Sequence, residues 1–310
     1  MSELAEQTGV SRSTIKRRFA LMEKVWEQPK LYGGGFVHID ATYWGHNWGV
    51  MVAVDESSSK VLYLAFIRHE TVEDYRKAVA SLEERGFSID GIIIDGMQSL
   101  FREFARYPVQ MCHFHMISII RRYLTKNPKM KAAKELRSIV LSITSTDQTS
   151  FEAVYKQWKE TYADIINRRT VSKRTGASWY THKRLRTAMH SVDFYLPYLF
   201  TFQRKDCTGM PNTNNKIEGT FTDLKNNLNA HSGMSIENRK RFIIGFFLAW
   251  NELKHVKRQR WTPVPYPPFF DLSSFVAVLF LTELLPSRAP LRFKLRGKST
   301  KHCQYGKIKR

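Results

Sequence analysis

Three carboxylates in this 310-residue chain stand where a carboxylate is expensive to place. Asp40 lies inside "HIDATYW", Asp95 ends the apolar run "IIID" before Gly96, and Glu218 lies in "NNKIEGTF" at the start of an amphipathic stretch. Desolvating an unpaired carboxylate costs several kcal/mol unless a partner or a metal compensates, so Asp40 and Asp95 are expected at strand ends facing a site. Glu218 is expected in the first turn of a helix, with Thr222 and Lys225 on the same polar side and Ile217 turned inward. Carboxylates delivered by two strands and a later helix can hold two divalent cations about 3.5 to 4 Å apart, which serve both the attacking and the leaving oxygen of a displacement at phosphorus. Oxygen ligands suit two Mg2+ or Mn2+ ions. Plainer explanations exist for two of the three: Asp95 before Gly96 can open a turn, and Glu218, three positions after Asn215, can close a capping box. Asp55, Asp74 and Asp90 are competing acids, each expected at an element edge where solvation is easy.

A second cluster is "VQMCHFHMIS" at 109–118, with Cys112, His113 and His115 in four positions. A structural zinc site needs four ligands, commonly as two close pairs. Only Cys112 and His115 have ligand spacing here, and no second pair follows, so zinc is not expected. Read as a strand running to a helix near Met116, the segment puts Cys112 and Phe114 on one face and His113 and His115 on the other.

The elements that would carry these residues can be read from periodicity. "GFVHIDATYW" (35–44), "NWGVMVAVD" (47–55) and "KVLYLAFIRHE" (60–70) read as three strands of an antiparallel meander, with turns at Gly45 and at the serines 57–59. "TVEDYRKAVASLEERG" is a helix capped by Thr71 and stopped by Gly86. "SIDGIIIDG" is a buried strand, "SLFREFARY" a helix and "PVQMCHFH" a last strand. Residues 116–210 show only basic helical stretches around an exposed loop at "VSKRTGASW", and are expected to be all-helical. In 211–260, Ile217, Phe221, Leu224 and Leu228 form one apolar stripe and a long final helix follows. Ahead of the core, 1–28 reads as the last two helices of a helix-turn-helix: Gly9 turns, Ser11 caps, and Arg12, Ser13, Lys16 and Arg17 face outward toward DNA.

Lysine and arginine outnumber aspartate and glutamate 49 to 28, a formal charge of +21, which favours a polyanionic partner and nucleic acid first. Three scattered cysteines exclude a disulfide framework and fit a reducing compartment, so a cytoplasmic location is expected. The longest apolar run, "FVAVLFLTELL" at 275–285, carries Glu283 and is too short to span a bilayer, so no membrane partner is expected.

With "HIDATYW", "IIIDGMQ", the Cys-x-x-His of "CHFH" and "NTNNKIEGTFTDLKNNL" in this order, the chain resembles bacterial insertion-sequence transposases of the Mutator-like superfamily over about 36–260. The resemblance implies an α/β fold: an RNase H-like mixed five-stranded sheet with flanking helices and an all-helical insertion before the last catalytic acid. It implies a DDE enzyme in which Asp40, Asp95 and Glu218 bind two metal ions, hydrolysis frees a 3′-hydroxyl at the element's ends, and that hydroxyl attacks target DNA. Cys112 and His115 would then shape the site or contact DNA without holding catalytic metal. Double-stranded DNA, as terminal inverted repeats and target, is the implied partner, and a homo-oligomer the implied assembly. A non-catalytic DNA-binding regulator and an RNase H-like nuclease are the alternatives. The tail 261–310 matches nothing in the family, and is either an added DNA-binding arm or a non-native extension.

Overall fold

β1 (Gly34–Trp44) and β2 (Trp48–Asp55) pair antiparallel, with Asp40 opposite Val52, and β3 (Val61–Ile67) continues the meander on β2. These strands belong to a computed structural model that describes residues 29–45, 47–229 and 233–259, together with Ser11, Ser13, Thr14 and Trp26. The β1–β2 turn works because Gly45 adopts φ +69°, and Trp44 stacks on Trp48 across it with ring centroids 4.9 Å apart.

After the meander the chain crosses through α1 (Val72–Glu84) to β4 (Ser88–Ile94), which lies parallel to β1. Helix α1 starts in a capping box: the Asp74 amide donates to Thr71 Oγ1 at 3.3 Å while the Asp74 carboxylate accepts from the Thr71 amide. Its Tyr75, Ala78, Val79 and Leu82 are buried, and Gly86 at φ +94° ends it, as the spacing predicts. A short α2 (Gln98–Glu103) then leads to β5 (Val109–Met111), parallel to β4. The sheet order is β3-β2-β1-β4-β5. The expected mixed five-stranded sheet is therefore present, and its order and strand senses are consistent with an RNase H-like fold.

The last strand is shorter than the sequence suggests. β5 stops at Met111, and α3 (His113–Leu124) begins with Cys112 as its cap residue. The alternating-face reading of Cys112 to His115 is thus wrong: these residues form the cap and first turn of a helix. Three strand residues give too few alternations for periodicity to fix the boundary.

The insertion contains α4 (Lys131–Leu141), α5 (Gln148–Thr161), α6 (Ala163–Asn167) and α7 (Lys183–Leu199). It is not all-helical. β6 (Arg169–Val171) and β7 (Ser178–Tyr180) form an antiparallel hairpin where an exposed loop is expected from sequence. Its turn closes through the Ser172 amide to the Ala177 carbonyl at 2.8 Å, with Gly176 at φ +67°. The insertion shares one continuous core with the sheet. Phe151, Tyr155, Trp158 and Phe200 join the cluster that holds Ile39, Ile92 and Ile94.

Two helices close the described fold, α8 (Asn215–Asn229) and α9 (Ile236–Gln259). The predicted α8 stripe of Ile217, Phe221, Leu224 and Leu228 is buried. Helix α9 covers the edge strand β3: the Asn251 side chain bonds both the amide and the carbonyl of Val61 at 2.8 Å, and Trp250 donates to the Ser59 carbonyl. No helix among the described residues is long and apolar enough to cross a membrane. Of the N-terminal unit, Ser11 Oγ accepts the Thr14 amide at 3.2 Å, the capping bond expected there, and Ser13 is exposed. Arg12, Lys16, Arg17, the remainder of the helix-turn-helix and the tail 261–310 lie outside the described residues.

Candidate active site

β1 and β4 are parallel neighbours with His38 opposite Ile93, and two residues further along each strand stand Asp40 and Asp95. Parallel pairing thus brings two carboxylates separated by 55 positions side by side at one end of the sheet. The third arrives from α8, whose first turn carries Glu218. His115 ties Asp95 to Glu218: its Nδ1 lies 2.9 Å from Asp95 Oδ1 and 3.8 Å from Glu218 Oε1. The capping-box explanation of Glu218 does not hold. Its amide donates to the Asn214 carbonyl at 3.1 Å, and Glu218 Oε1 is a buried atom with no hydrogen-bond partner.

Several residues that hold this arrangement escape sequence inspection. Asn214, fully buried, donates through Nδ2 to Asp95 Oδ1 at 3.2 Å and accepts from His38 Nδ1 at 2.7 Å. His38 Nε2 in turn faces Glu56 Oε2 at 2.6 Å, and Lys216 donates to the Glu56 carboxylate and, at 2.6 Å, to its carbonyl. Side chains from β1, the β2–β3 turn and the entrance of α8 therefore form one chain of contacts ending on Asp95. Sequence could have flagged His38, a polar residue two before Asp40 in an apolar strand, but Asn214 looks like any polar loop residue.

The Cys-x-x-His pair has two separate tasks. Cys112 Sγ accepts the Asn214 amide at 3.3 Å while the Cys112 amide donates to the Ile94 carbonyl at 3.0 Å. It thereby pins the α8 entrance to the end of β4. One helical turn on, His115 faces the acids, whereas His113 points the other way and lies 2.6 Å from the Leu199 carbonyl of α7. Asp55, expected at a solvated edge, is instead buried and satisfied by donors from Ser57 and Ser58.

Charge in the site is unbalanced. Asp40 is 8% exposed, and burial first, then Asp95, hold its carboxyl well above the ordinary carboxylate range against the Ala41 amide bond at 2.7 Å. Burial also raises Glu218, with Asp95 adding and His115 opposing. A fourth acid unmarked by the sequence, Glu70 beyond β3, is raised by burial and by Asp95, although the Tyr75 hydroxyl donates to it. Burial alone would depress His115, but Asp95 and Cys112 outweigh it and push the imidazole up to about 11. Among the described residues no lysine or arginine pairs with Asp40, Asp95 or Glu218.

Asp95 and Glu218 meet across His115, Asp40 stands beside Asp95, and a buried oxygen of Glu218 has no hydrogen-bond partner among the described residues, a set of oxygen donors of the kind hard divalent cations take. Cys112, His115 and Glu218 also bring one ligand atom each within 4.8 Å of one another, a grouping invisible in the sequence spacing. Cys112 Sγ accepts the Asn214 amide at the same time. Lys225, two turns after Glu218 and expected on the same polar side, is exposed on α8.

Gly96 lets the insertion approach. A Cβ there would stand 2.7 Å from Ile119 Cδ1 of α3 and 3.2 Å from the Tyr195 hydroxyl of α7, which donates to the Gly96 carbonyl at 2.5 Å. Gly96→Ala is expected to destabilise the fold by about 1 to 3 kcal/mol, as overpacking does, and to displace Asp95; thermal unfolding without metal measures the first effect.

No protein-family model matches the chain, and no curated protein matches it. Among solved structures, it is similar to the Drosophila P element transposase strand transfer complex, at 12% identity over 70% of this chain and 74% of that chain, with a TM-score of 0.27.

Proposed function

We propose that the chain is a DDE-type DNA transposase that cleaves and joins DNA at the ends of a mobile element, using Asp40, Asp95 and Glu218 to bind two Mg2+ or Mn2+ ions. The observation that carries this reading is that β1 and β4 set Asp40 beside Asp95 while His115 links Asp95 to Glu218 of α8, whose buried oxygen has no hydrogen-bond partner among the described residues. When bound, such ions supply charge stabilisation at both oxygens of an in-line phosphoryl displacement. The chain's own groups orient the ligands: Asn214 fixes Asp95, the Ala41 amide fixes Asp40, and His115 supplies positive charge beside Asp95 and Glu218. The outward residues Arg12, Ser13, Lys16 and Arg17, with Lys225, would contact duplex DNA, and a homo-oligomer would hold two ends together.

Nicking of supercoiled plasmid by the purified chain with Mg2+ or Mn2+ tests the reading, with Glu218→Gln expected to abolish it while DNA binding survives. Equal nicking by parent and variant would remove Glu218 from the site. One tightly held zinc per chain, found by elemental analysis, would instead favour the Cys112, His115 and Glu218 grouping. Because the raised Asp40 carboxyl must lose its proton to become a ligand, Mg2+ affinity is expected to rise with pH through the Asp40 titration. Calorimetric titrations across that range check it, and a flat profile would contradict it.

A further inference from the structure

The β6–β7 hairpin and the first turn of α7 carry charge that no acid among the described residues neutralises. From Ile165 to Val192 there are seven lysines and arginines and no aspartate or glutamate, so about a tenth of the chain holds a third of its net charge. Arg168, Arg169, Lys173, Arg174, Lys183 and Arg184 are all exposed, and none forms an ion pair among the described residues. Three of the seven cations stand in or next to the first turn of α7, which has no acidic residue and no side-chain cap. Cations at a helix N-terminus oppose the helix dipole, and clustered like charges repel, so this placement destabilises the free protein.

Ring contacts and a hydrogen bond tie the scaffold under the charges together. Tyr180 has the Arg186 guanidinium 3.8 Å and the Arg169 guanidinium 4.7 Å from its ring centre, and Arg169 also donates to Ser178 Oγ at 2.7 Å. On the other face, Trp179 is 39% exposed, with the Lys183 ammonium 5.9 Å from its ring. The result is a projecting basic hairpin with an exposed aromatic ring. Its other end is anchored at the acids, because α7 reaches Gly96 through Tyr195. Twelve residues of helix separate Lys183 from Tyr195, about 18 Å at 1.5 Å per residue. Along duplex DNA that is roughly five base pairs at 3.4 Å each.

We infer that the β6–β7 hairpin and the start of α7 form a second DNA-gripping surface, which holds the phosphate backbone of duplex DNA within about half a helical turn of the phosphate held at the acids. The partner follows from charge complementarity: a dense row of phosphates matches unpaired cations, and counterion release offsets their mutual repulsion. The inference rests on the proposal above for which DNA is bound and for a phosphate held at the acids, and the DNA grip itself stands on the charge alone.

The test uses the full chain, a fluorescein-labelled 40-base-pair duplex of arbitrary sequence, and binding measured from 50 to 300 mM KCl. Lys173→Gln with Arg174→Gln removes two charges from the hairpin turn, where no described hydrogen bond uses either side chain. The slope of log affinity against log salt is expected to shallow by about two, near 0.9 per lost phosphate contact, with roughly tenfold weaker binding at the lower salt end. Lys77→Gln with Lys156→Gln removes the same charge from α1 and α5 and is expected to leave the slope alone. An unchanged slope in the hairpin variant, or an equal loss in the control, would overturn the inference. Plasmid nicking in parallel separates the two proposals. Slope loss in a parent that never nicks keeps the hairpin and rejects the transposase, whereas metal-dependent nicking with an unchanged slope does the reverse.

Discussion

Replacing Asp40 by asparagine is expected to abolish metal-dependent DNA cleavage and, in the same protein, to raise stability when metal is removed. The two effects have one cause. Asp40 is nearly buried, beside Asp95, with only the Ala41 amide at 2.7 Å to favour its charge. Asparagine keeps an oxygen for that amide and removes the charge. Loss of a metal ligand is worth about 4 kcal/mol of transition-state stabilisation, on the order of 1,000-fold in rate. In EDTA near neutral pH, the same change is expected to stabilise by about 1 to 2 kcal/mol, raising Tm by about 3 to 6 °C. The pH dependence gives an internal check. The folded-state value of Asp40 lies above its ordinary 3.8, so the folded protein binds the extra proton. That contribution is complete below the unfolded value and fades as pH climbs through the folded one. The parent should therefore lose metal-free stability across that window and Asp40→Asn should lose less. A variant that is inactive and also less stable in EDTA at every pH would show Asp40 to be structural.

Asn214→Ala carries the second large effect. The substitution leaves the backbone bond from the Asn214 amide to Cys112 Sγ intact but strips one donor from Asp95 and the acceptor from His38. Each buried group left unsatisfied costs about 1 to 3 kcal/mol. Losing a group that orients a ligand typically weakens metal affinity by about 10- to 100-fold. Mn2+ titration and unfolding in EDTA should both register the change, with the stability effect at least as large as the metal effect in free energy. Asn214→Asp separates orientation from packing: it fills the same space but sets a carboxylate against Asp95, so it should be worse for metal-free stability yet recover part of the metal affinity. If neither variant alters Mn2+ binding, the Asn214 side chain only fills space.

Much of this architecture was legible because it is local. The α1 capping box of Thr71 and Asp74, the Gly86 stop and the buried α8 stripe from Ile217 to Leu228 each depend on residues within a turn or two of one another. The strands β1 to β4 were legible because long β-branched runs tolerate few other conformations. The failures have the opposite cause. β5 is three residues long, so "CHFH" looked like a strand continuing rather than a helix beginning. Each strand of the β6–β7 hairpin is equally short, so "VSKRTGASW" read as an exposed loop between helices.

By itself the sequence determined which residues are expensive to bury, and therefore which acids needed a reason to be where they are. Asp40 in an apolar strand and Asp95 at the end of another had that property whatever the fold. It also fixed the strongly basic balance and the local elements, since capping, periodicity and turn chemistry act over a few residues. Only the tertiary structure decided that Asp40 and Asp95 are neighbours, because parallel pairing of β1 with β4 joins positions that no short-range rule connects. It alone placed Glu218 Oε1 beside His115 with no hydrogen-bond partner among the described residues, and linked Asp95 through Asn214 and His38 to Glu56. Each of those arrangements depends on contacts between chain segments far apart in sequence, where a residue's type states what it could do and packing states what it meets.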